Sequence, residues 1–296
     1  MPTSSSIVLV KEWKSEVVSE SSKVVAFDIH RNRGGRGLMP ENTIAACIES
    51  IKRGTDTLHL DVLVSGDKEL VVANDSTLSA SIYENADGTC KLDNNANCNI
   101  FEMNYAEIRS LNFGKKRQYN LPDKHLMTVN IPLLSHLIDR VEKFVLWNRQ
   151  QPIKYNIDIK SSVDGDRVFN PNPETFALLV FDMLRQKAVL RRTIIQSSDV
   201  RVLKVFRKID ETIKLSYSTQ EISWEIENDT LQNVKPDFFS PDYRVVNRSV
   251  IESLHSRHIK ILPKVVNEIL DINEMKQIGA DGVLTDYPDR AIKVLN

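Results

Sequence analysis

Residues 24–64 read VVAFDIHRNRGGRGLMPENTIAACIESIKRGTDTLHLDVLV and contain two strand-like runs with a helical run between them. VVAFDIH (24–30) and TLHLDVLV (57–64) are rich in β-branched residues, whereas TIAACIESIKRG (43–54) repeats its apolar residues with the period of an α-helix. A strand, a helix and a second strand in this order are typical of a βαβ unit, whose two strands lie parallel in one sheet. We therefore expect a parallel sheet covered by helices.

The same alternation continues along the rest of the chain. Further strand-like runs are LVVA (70–73), YNIDIK (155–160), TIIQSS (193–198), IKLSYS (213–218), FFSPDY (238–243), IKILPKVV (259–266) and GVLTDYP (282–288). Helix-period stretches include 132–147, 173–190 and 200–209. A TIM (β/α)8 barrel has eight parallel strands, so one of the nine candidates is expected to be peripheral, and the proline in FFSPDY makes it the first choice. On periodicity alone, a doubly wound sheet is an alternative.

Two segments interrupt the alternation. Residues 1–22 are polar and rich in serine, and we interpret them as an N-terminal arm or capping segment before a single barrel domain at 23–296. Residues from about 79 to 131 contain clusters of Asn, Asp and Gly, which predict an insertion after an early strand. Long insertions in α/β folds commonly shape the active-site face. A surface loop without a function is the alternative.

The overall charge and hydrophobic pattern exclude several classes of protein. The 296 residues include 39 Lys and Arg against 40 Asp and Glu, a formal net charge of -1. Such a balance argues against a nucleic-acid partner, because nucleic-acid binders concentrate positive charge. No apolar run approaches the roughly 18 residues of a transmembrane segment, and no signal peptide is visible. We expect a cytoplasmic protein by default, or an exported one if this is a mature chain.

Charged residues lie at the carboxyl ends of the predicted strands, where parallel barrels carry their functional groups. His59 and Asp61 are two residues apart, and therefore share one face of their strand. Asp158 and Lys160 have the same spacing on another strand. Inward-facing charges are costly unless they bind a metal, an anion or each other. With Arg33 nearby, these pairs indicate a site for a divalent cation and a phosphate.

Seven sequence blocks resemble the glycerophosphodiester phosphodiesterase family and occur in the order of that family. They are RGGRGLMPENT (33–43), HLD (59–61), VVAND (71–75), YNIDIK (155–160), QSSD (196–199), PKVVN (263–267) and GADGVLTDYPDR (279–290). The resemblance implies a TIM barrel that hydrolyses glycerophosphodiesters to glycerol phosphate and an alcohol. It also implies a divalent cation, Mg²⁺ or Ca²⁺, and two histidines that act as acid and base.

The chain departs from the family pattern at both catalytic histidines, which correspond to Asn32 and Asn74. An asparagine amide has no titratable proton near neutral pH, and each general acid–base step typically contributes about 10²- to 10⁴-fold to the rate. We therefore expect hydrolysis to be strongly impaired or lost. The alternatives are a non-catalytic barrel that binds a phosphate or glycol or serves as a scaffold, and a phosphodiesterase whose proton relay has moved to His59 or His30. A weaker alternative is a sphingomyelinase-type phospholipase, which also depends on two histidines.

The metal ligands implied by the resemblance are His59, Asp61 and Asp158. The family has glutamates at the positions of His59 and Asp158 and an aspartate at the position of Asp61. A histidine in place of a glutamate weakens the binding of Mg²⁺ or Ca²⁺ and favours softer ions such as Mn²⁺ or Zn²⁺.

The predicted ligand is a small phosphodiester or a molecule the size of a glycol. The residues implied to bind it are Arg33, Lys160, Lys264 and Asn267, of which Lys264 replaces an aromatic residue of the family. Residues expected nearby are Glu41, His30, Asp75 and Asp286. Within PENT, Pro40 and Asn42 are explained by the turn and cap that precede a helix, so only Glu41 is expected to act in the site.

Overall fold

The computed structural model describes residues 27–79, 82–85, 98–115, 121–220 and 233–295. The described residues form the strands β1 (Asp28–Arg31), β2 (Thr57–Val64), β3 (Leu70–Val72), β4 (Thr77–Leu78), β5 (Glu84–Asn85), β6 (Cys98–Asn99), β7 (Leu111–Asn112), β8 (Lys154–Ile159), β9 (Thr193–Ser197), β10 (Lys214–Ser218), β11 (Phe238–Ser240), β12 (Lys260–Ile261) and β13 (Gly282–Thr285). They also form the helices α1 (Ile44–Lys52), α2 (Tyr105–Ser110), α3 (Leu134–Trp147), α4 (Pro173–Gln186), α5 (Val200–Ile209), α6 (Arg248–His255), α7 (Ile269–Ile278) and α8 (Pro288–Leu295).

Eight parallel strands form a nearly closed barrel. Their order around the sheet is β12-β11-β10-β9-β8-β2-β1-β13. The two ends of this series are joined by backbone hydrogen bonds of 2.9 Å, from Leu284 N to Pro263 O and from Val266 N to Leu284 O. The predicted TIM barrel is therefore confirmed, and an open doubly wound sheet is excluded.

Of the nine predicted strands, the one that lies outside the eight parallel strands of the barrel is LVVA (70–73) and not FFSPDY (238–243). β3 pairs antiparallel with β2, with Val72 opposite Val62. β11, in contrast, lies parallel between β10 and β12 and is part of the barrel. Pro241 follows the last residue of β11, so it removes no N–H group from the strand's hydrogen bonds. The prediction that FFSPDY is peripheral is wrong.

The helices bury their apolar faces as their sequences predict. The side chain of Thr43 accepts a hydrogen bond from Ala46 N (3.1 Å) and so caps α1, and the prediction that Asn42 is explained by this cap is wrong. The outward face of β2, with Leu58, Leu60 and Val62, is fully buried in the apolar core beneath the helices. Within the part of the chain that the structure describes, no helix combines the length and the apolar character needed to cross a membrane.

The inside of the barrel is polar below its carboxyl end. His30 of β1, Asn156 of β8, Gln196 of β9 and Ser216 of β10 are all almost fully buried. Asn156 Nδ2 and Ser216 Oγ each donate to Gln196 Oε1 at 3.1 Å. Since buried polar groups are costly unless they are hydrogen-bonded, these contacts connect neighbouring strands and hold a polar layer beneath the functional end.

The described parts of the insertion pack against the barrel. β4 pairs with β6 and β5 with β7, and a second apolar cluster contains Ile108 and Phe113 together with Leu63 of β2. The side chain of Asn99 donates to Val168 O at 2.6 Å, in the loop that follows β8. The proposed N-terminal arm, 1–22, lies outside the described residues and stays a prediction.

The core position of Leu60 predicts a large loss of stability on truncation. Leu60 is fully buried, and Leu60→Ala is expected to lower the free energy of unfolding by about 2–5 kcal/mol, because it leaves a cavity. Leu270 is 81% exposed, and Leu270→Ala, the matched control, is expected to change it by less than about 0.5 kcal/mol. Urea unfolding of the two variants checks this. Equal effects would contradict the assigned faces of β2.

Candidate functional site

The mouth of the barrel, the end where the parallel strands finish, brings the three predicted metal ligands together. Asp61 of β2 lies opposite Asp158 of β8 in the parallel register. The ligand atoms of His59, Asp61 and Asp158 all lie within 4.8 Å of one another, and the three residues are buried. One nitrogen and two oxygen donors at this spacing could hold a metal ion.

Lys160 lies between the two aspartates. Its Nζ is 3.1 Å from Asp61 Oδ1 and 3.1 Å from Asp158 Oδ2. Burial by itself lowers the pKa of Lys160, but the two carboxylates outweigh this effect and raise it above the ordinary value for lysine, so the side chain stays charged. A divalent cation would compete with this ammonium group for the same oxygens. The Lys160 side chain is 30% exposed and so has room to turn towards solvent.

Arg33 connects the loop after β1 to the same carboxylates. Its Nε lies 3.0 Å from Asp61 Oδ2, and its Nη1 donates to Glu41 Oε1 at 2.8 Å. The residue has φ 51°, in the left-handed region, and is followed by Gly34 at φ 76°. This sharp turn points the guanidinium group back over the end of β2. The structure thus places Arg33 and Glu41 beside the candidate ligands.

Asn42 is a residue of the site that sequence reasoning missed. Its Nδ2 donates to Asp61 Oδ2 at 3.0 Å, and its Oδ1 accepts from Asp61 N at 3.2 Å. The cap of α1 is Thr43, so the helix start does not need Asn42. A signal for this role was present in the sequence. Asn42 and Thr43 are both residue types that cap helices, and a helix start uses only one of them, which leaves the other for a different contact.

Asn32 directly follows β1, the strand next to β2 in the barrel. It is 4% exposed, and its Nδ2 donates to Asp286 Oδ1 at 2.7 Å. Asn267 Nδ2 donates to the second oxygen of Asp286 at 3.0 Å, and Asp286 N donates back to Asn267 Oδ1 at 2.9 Å. The three predicted residues therefore form one hydrogen-bonded group that joins β1 to the ends of β12 and β13.

Asn74 and Asp75 lie at the rim. Because β3 runs antiparallel to β2, the chain turns back towards the level of Asp61 before it reaches Asn74. The half-buried Asn74 donates to Asp75 Oδ1 at 2.5 Å. Burial raises the pKa of the Tyr83 hydroxyl, and the charges of Glu41 and Asp75 raise it further, which places both carboxylates near Tyr83. Within the described residues, neither Asn74 nor Asp75 is hydrogen-bonded to Asp61.

His30 and Lys264 occupy different levels of the barrel. His30 Nδ1 lies 3.1 Å from Asn156 Nδ2, and its Nε2 lies 3.4 Å from Asp28 Oδ2, so both ring nitrogens face partners in the polar interior. Lys264 lies at the mouth and donates to Ser218 Oγ. Burial lowers the pKa of Lys264, whereas the nearby Asp158 carboxylate opposes this shift.

These features define a class of protein: a TIM barrel with a candidate metal and phosphate site where its strands end. Residues 32–290 match the sequence model of the Glycerophosphoryl diester phosphodiesterase family. The chain belongs to this family.

Proteins related in sequence align with nearly the whole chain. A Bacillus altitudinis protein named glycerophosphodiester phosphodiesterase is 25% identical over 268 residues, which are 90% of this chain and 97% of that protein. A human lysophospholipase D is 23% identical and covers 88% of this chain and 83% of its own length.

Solved structures show the same fold. A Silicibacter pomeroyi protein assigned to the glycerophosphoryl diester phosphodiesterases superimposes with a TM-score of 0.80 at 25% identity and covers 91% of this chain and 92% of its own. An Oleispira antarctica phosphodiesterase in complex with its product, sn-glycerol-3-phosphate, has a TM-score of 0.72 at 17% identity and covers 90% of this chain and 96% of its own.

The ion pairs of Asp61 predict a dependence of stability on pH. Burial raises the pKa of Asp61, but Lys160 and Arg33 outweigh it and hold this pKa below the ordinary value. A lowered folded-state pKa means that the ionised Asp61 carboxylate stabilises the folded protein. This stabilisation is complete above the unfolded-state pKa of an aspartate, about 3.9, and is lost as the pH falls through the lower folded-state pKa of Asp61. In a chelating buffer, we expect the unfolding free energy of Asp61→Asn to fall less steeply below about pH 4 than that of the wild type.

The control is Asp182→Asn on α4, which removes a carboxylate that is 52% exposed. It is expected to keep the wild-type dependence on pH. An Asp61→Asn variant with the same steepness as the wild type would show that Asp61 is not held as a paired carboxylate.

Proposed function

We propose that this protein binds a glycerophosphodiester at the mouth of the barrel and hydrolyses it only at a strongly reduced rate. The observation that carries the proposal is the position of Asn32, buried in the mouth and hydrogen-bonded to Asp286 at 2.7 Å. By resemblance, this position corresponds to a catalytic histidine of the family. The family membership of the chain supports the choice of ligand.

Ligand binding is supported by the cationic groups of the mouth. Arg33, Lys160 and Lys264 all lie around the aspartates, and the guanidinium group of Arg33 suits the oxygens of a phosphate. The fold shared with the phosphodiesterase that binds sn-glycerol-3-phosphate is consistent with a ligand of this size.

The reduced rate follows from the chemistry of an amide. A leaving alkoxide must gain a proton and an attacking water must lose one, and asparagine can do neither near neutral pH. Asn74, in the position that corresponds to the second histidine, has the same defect. The carboxylates of Glu41 and Asp61 are held by Arg33, which leaves them poorly placed to act as a replacement base.

We further propose that His59, Asp61 and Asp158 hold a divalent cation, and that Mn²⁺ or Zn²⁺ binds better than Mg²⁺ or Ca²⁺. The buried group of one nitrogen and two carboxylates supports this assignment. A bound cation would polarise the phosphoryl oxygen of the ligand. The chain's own residues would then orient the diester through Arg33 and Lys160, while Asn42 keeps the Asp61 carboxylate in place.

Replacement of both asparagines tests the proposed loss of catalysis. The wild type is expected to bind glycerophosphocholine in calorimetry yet to release glycerol 3-phosphate very slowly in the presence of Mg²⁺, Ca²⁺, Mn²⁺ or Zn²⁺. Asn32→His with Asn74→His is expected to raise the rate by about 10²-fold or more, because it restores groups that can transfer protons.

The single variants are the controls, and each is expected to gain less than the double variant. Rapid turnover by the wild type would overturn the proposed impairment, and if His59→Ala abolished that turnover, a relocated relay would be indicated. The absence of any diester binding, by wild type or double variant, would overturn the proposed function.

The identity of the donor at position 59 predicts the choice of metal. His59→Glu is expected to increase the affinity for Mg²⁺ and Ca²⁺ relative to Zn²⁺ by about tenfold or more, since a hard carboxylate oxygen replaces an imidazole nitrogen. Calorimetric titration of each ion measures this ratio. The matched control is His255→Glu, an exposed position on α6, and an unchanged ratio in His59→Glu would remove His59 from the ligand set.

A further inference from the structure

The segment 121–125, at the end of the predicted insertion, packs against the loop after β1 and against α8. His125 N donates to Leu38 O at 2.8 Å, which fixes the segment 121–125 to the loop after β1. Asp123 Oδ2 lies 3.8 Å from Arg290 Nη2, which connects the same segment to α8. Leu121 is buried. These contacts hold the segment against one side of the mouth.

Lys124 of this segment is buried among the charges of the mouth. It is 9% exposed, a low value for lysine, whose ammonium group is normally solvated. Burial lowers the pKa of Lys124, Glu41 and Asp286 oppose the shift, and Arg36 and Arg33 add to it. These four residues therefore lie within electrostatic reach of the Lys124 ammonium group.

Arg36 lies beside the same carboxylates. Its Nε is 3.3 Å from Glu41 Oε2 and 3.8 Å from Asp286 Oδ1. Neither contact has the geometry of a hydrogen bond, so among the described residues this buried Nε is paired with the two carboxylates by charge alone. A bound acceptor would supply the hydrogen bond that this N–H group lacks.

The cationic side chains of the mouth fall into two groups. Arg33 and Lys160 contact Asp61 at the candidate metal site. Arg36 and Lys124 lie instead near Glu41 and Asp286. The two groups would therefore contact different parts of one ligand.

We propose that Lys124 and Arg36 bind a second anionic group, carried by the alcohol part of the diester. This inference rests on the proposed function, because the phosphodiester itself is assigned to Arg33 and Lys160 near the aspartates. The two additional cations lie on the Glu41 side of the mouth and are not needed for that contact. The ligand class is therefore a glycerophosphodiester whose alcohol is phosphorylated, rather than one with a neutral or cationic alcohol.

The experiment compares glycerophosphoinositol with glycerophosphoinositol 4-phosphate, which differ by one phosphate group, in calorimetric titrations of the full chain. The wild type is expected to bind the phosphorylated ligand about tenfold or more tightly, as charge-assisted hydrogen bonds do. Lys124→Gln is expected to reduce this ratio towards one, and Lys124→Arg to retain most of it. Lys52→Gln, a change at an exposed position on α1 with the same loss of charge, is expected to keep the wild-type ratio.

The outcomes separate the two proposals. Equal affinity of the wild type for both ligands, or an unchanged preference in a folded Lys124→Gln variant, would overturn the role of Lys124 while leaving diester binding intact. The failure of both ligands to bind would instead overturn the proposed function. Thermal unfolding of each variant shows whether it is folded.

Discussion

The buried carboxylate of Asp61 is the contact on which the arrangement of the mouth depends. Arg33 reaches it from the loop after β1, Asn42 from the turn before α1, and Lys160 from the end of β8. A buried carboxylate without partners would cost several kcal/mol, so these three segments are constrained to converge on it. The same contacts that stabilise this end of the fold thereby place the cationic groups around the candidate metal site.

Polar side chains inside the barrel, below Asp61, restrict the position of His59 in the same way. Gln196 accepts hydrogen bonds from Asn156 and Ser216, and its Nε2 lies 3.2 Å from His59 Nε2. The His59 ring is therefore held between Gln196 of β9 and Asp158 of β8, and its other nitrogen, Nδ1, faces Arg33 N at 3.5 Å. Such contacts restrict the orientation of the imidazole ring. His30 belongs to this layer, and its contacts favour a supporting role.

The segment between β3 and α3 contributes to the surroundings of the site. Lys124 of this segment is buried near Glu41, and Tyr83 is close enough to Glu41 for that charge to raise the pKa of its hydroxyl. Both residues come from the segment between β3 and α3. The barrel strands thus supply the aspartates, and this segment supplies part of the electrostatic surroundings of the candidate site.

The sequence by itself determined the alternation of strands and helices, and it placed His59 with Asp61 and Asp158 with Lys160, because the two-residue period of a strand is a local property. Its motifs determined the family. It did not determine that β3 is the surplus strand, that Asn42 holds Asp61, or that Lys124 is buried in the mouth. These facts depend on which distant segments meet, and that is decided only when the barrel closes and brings buried charges within reach of their partners.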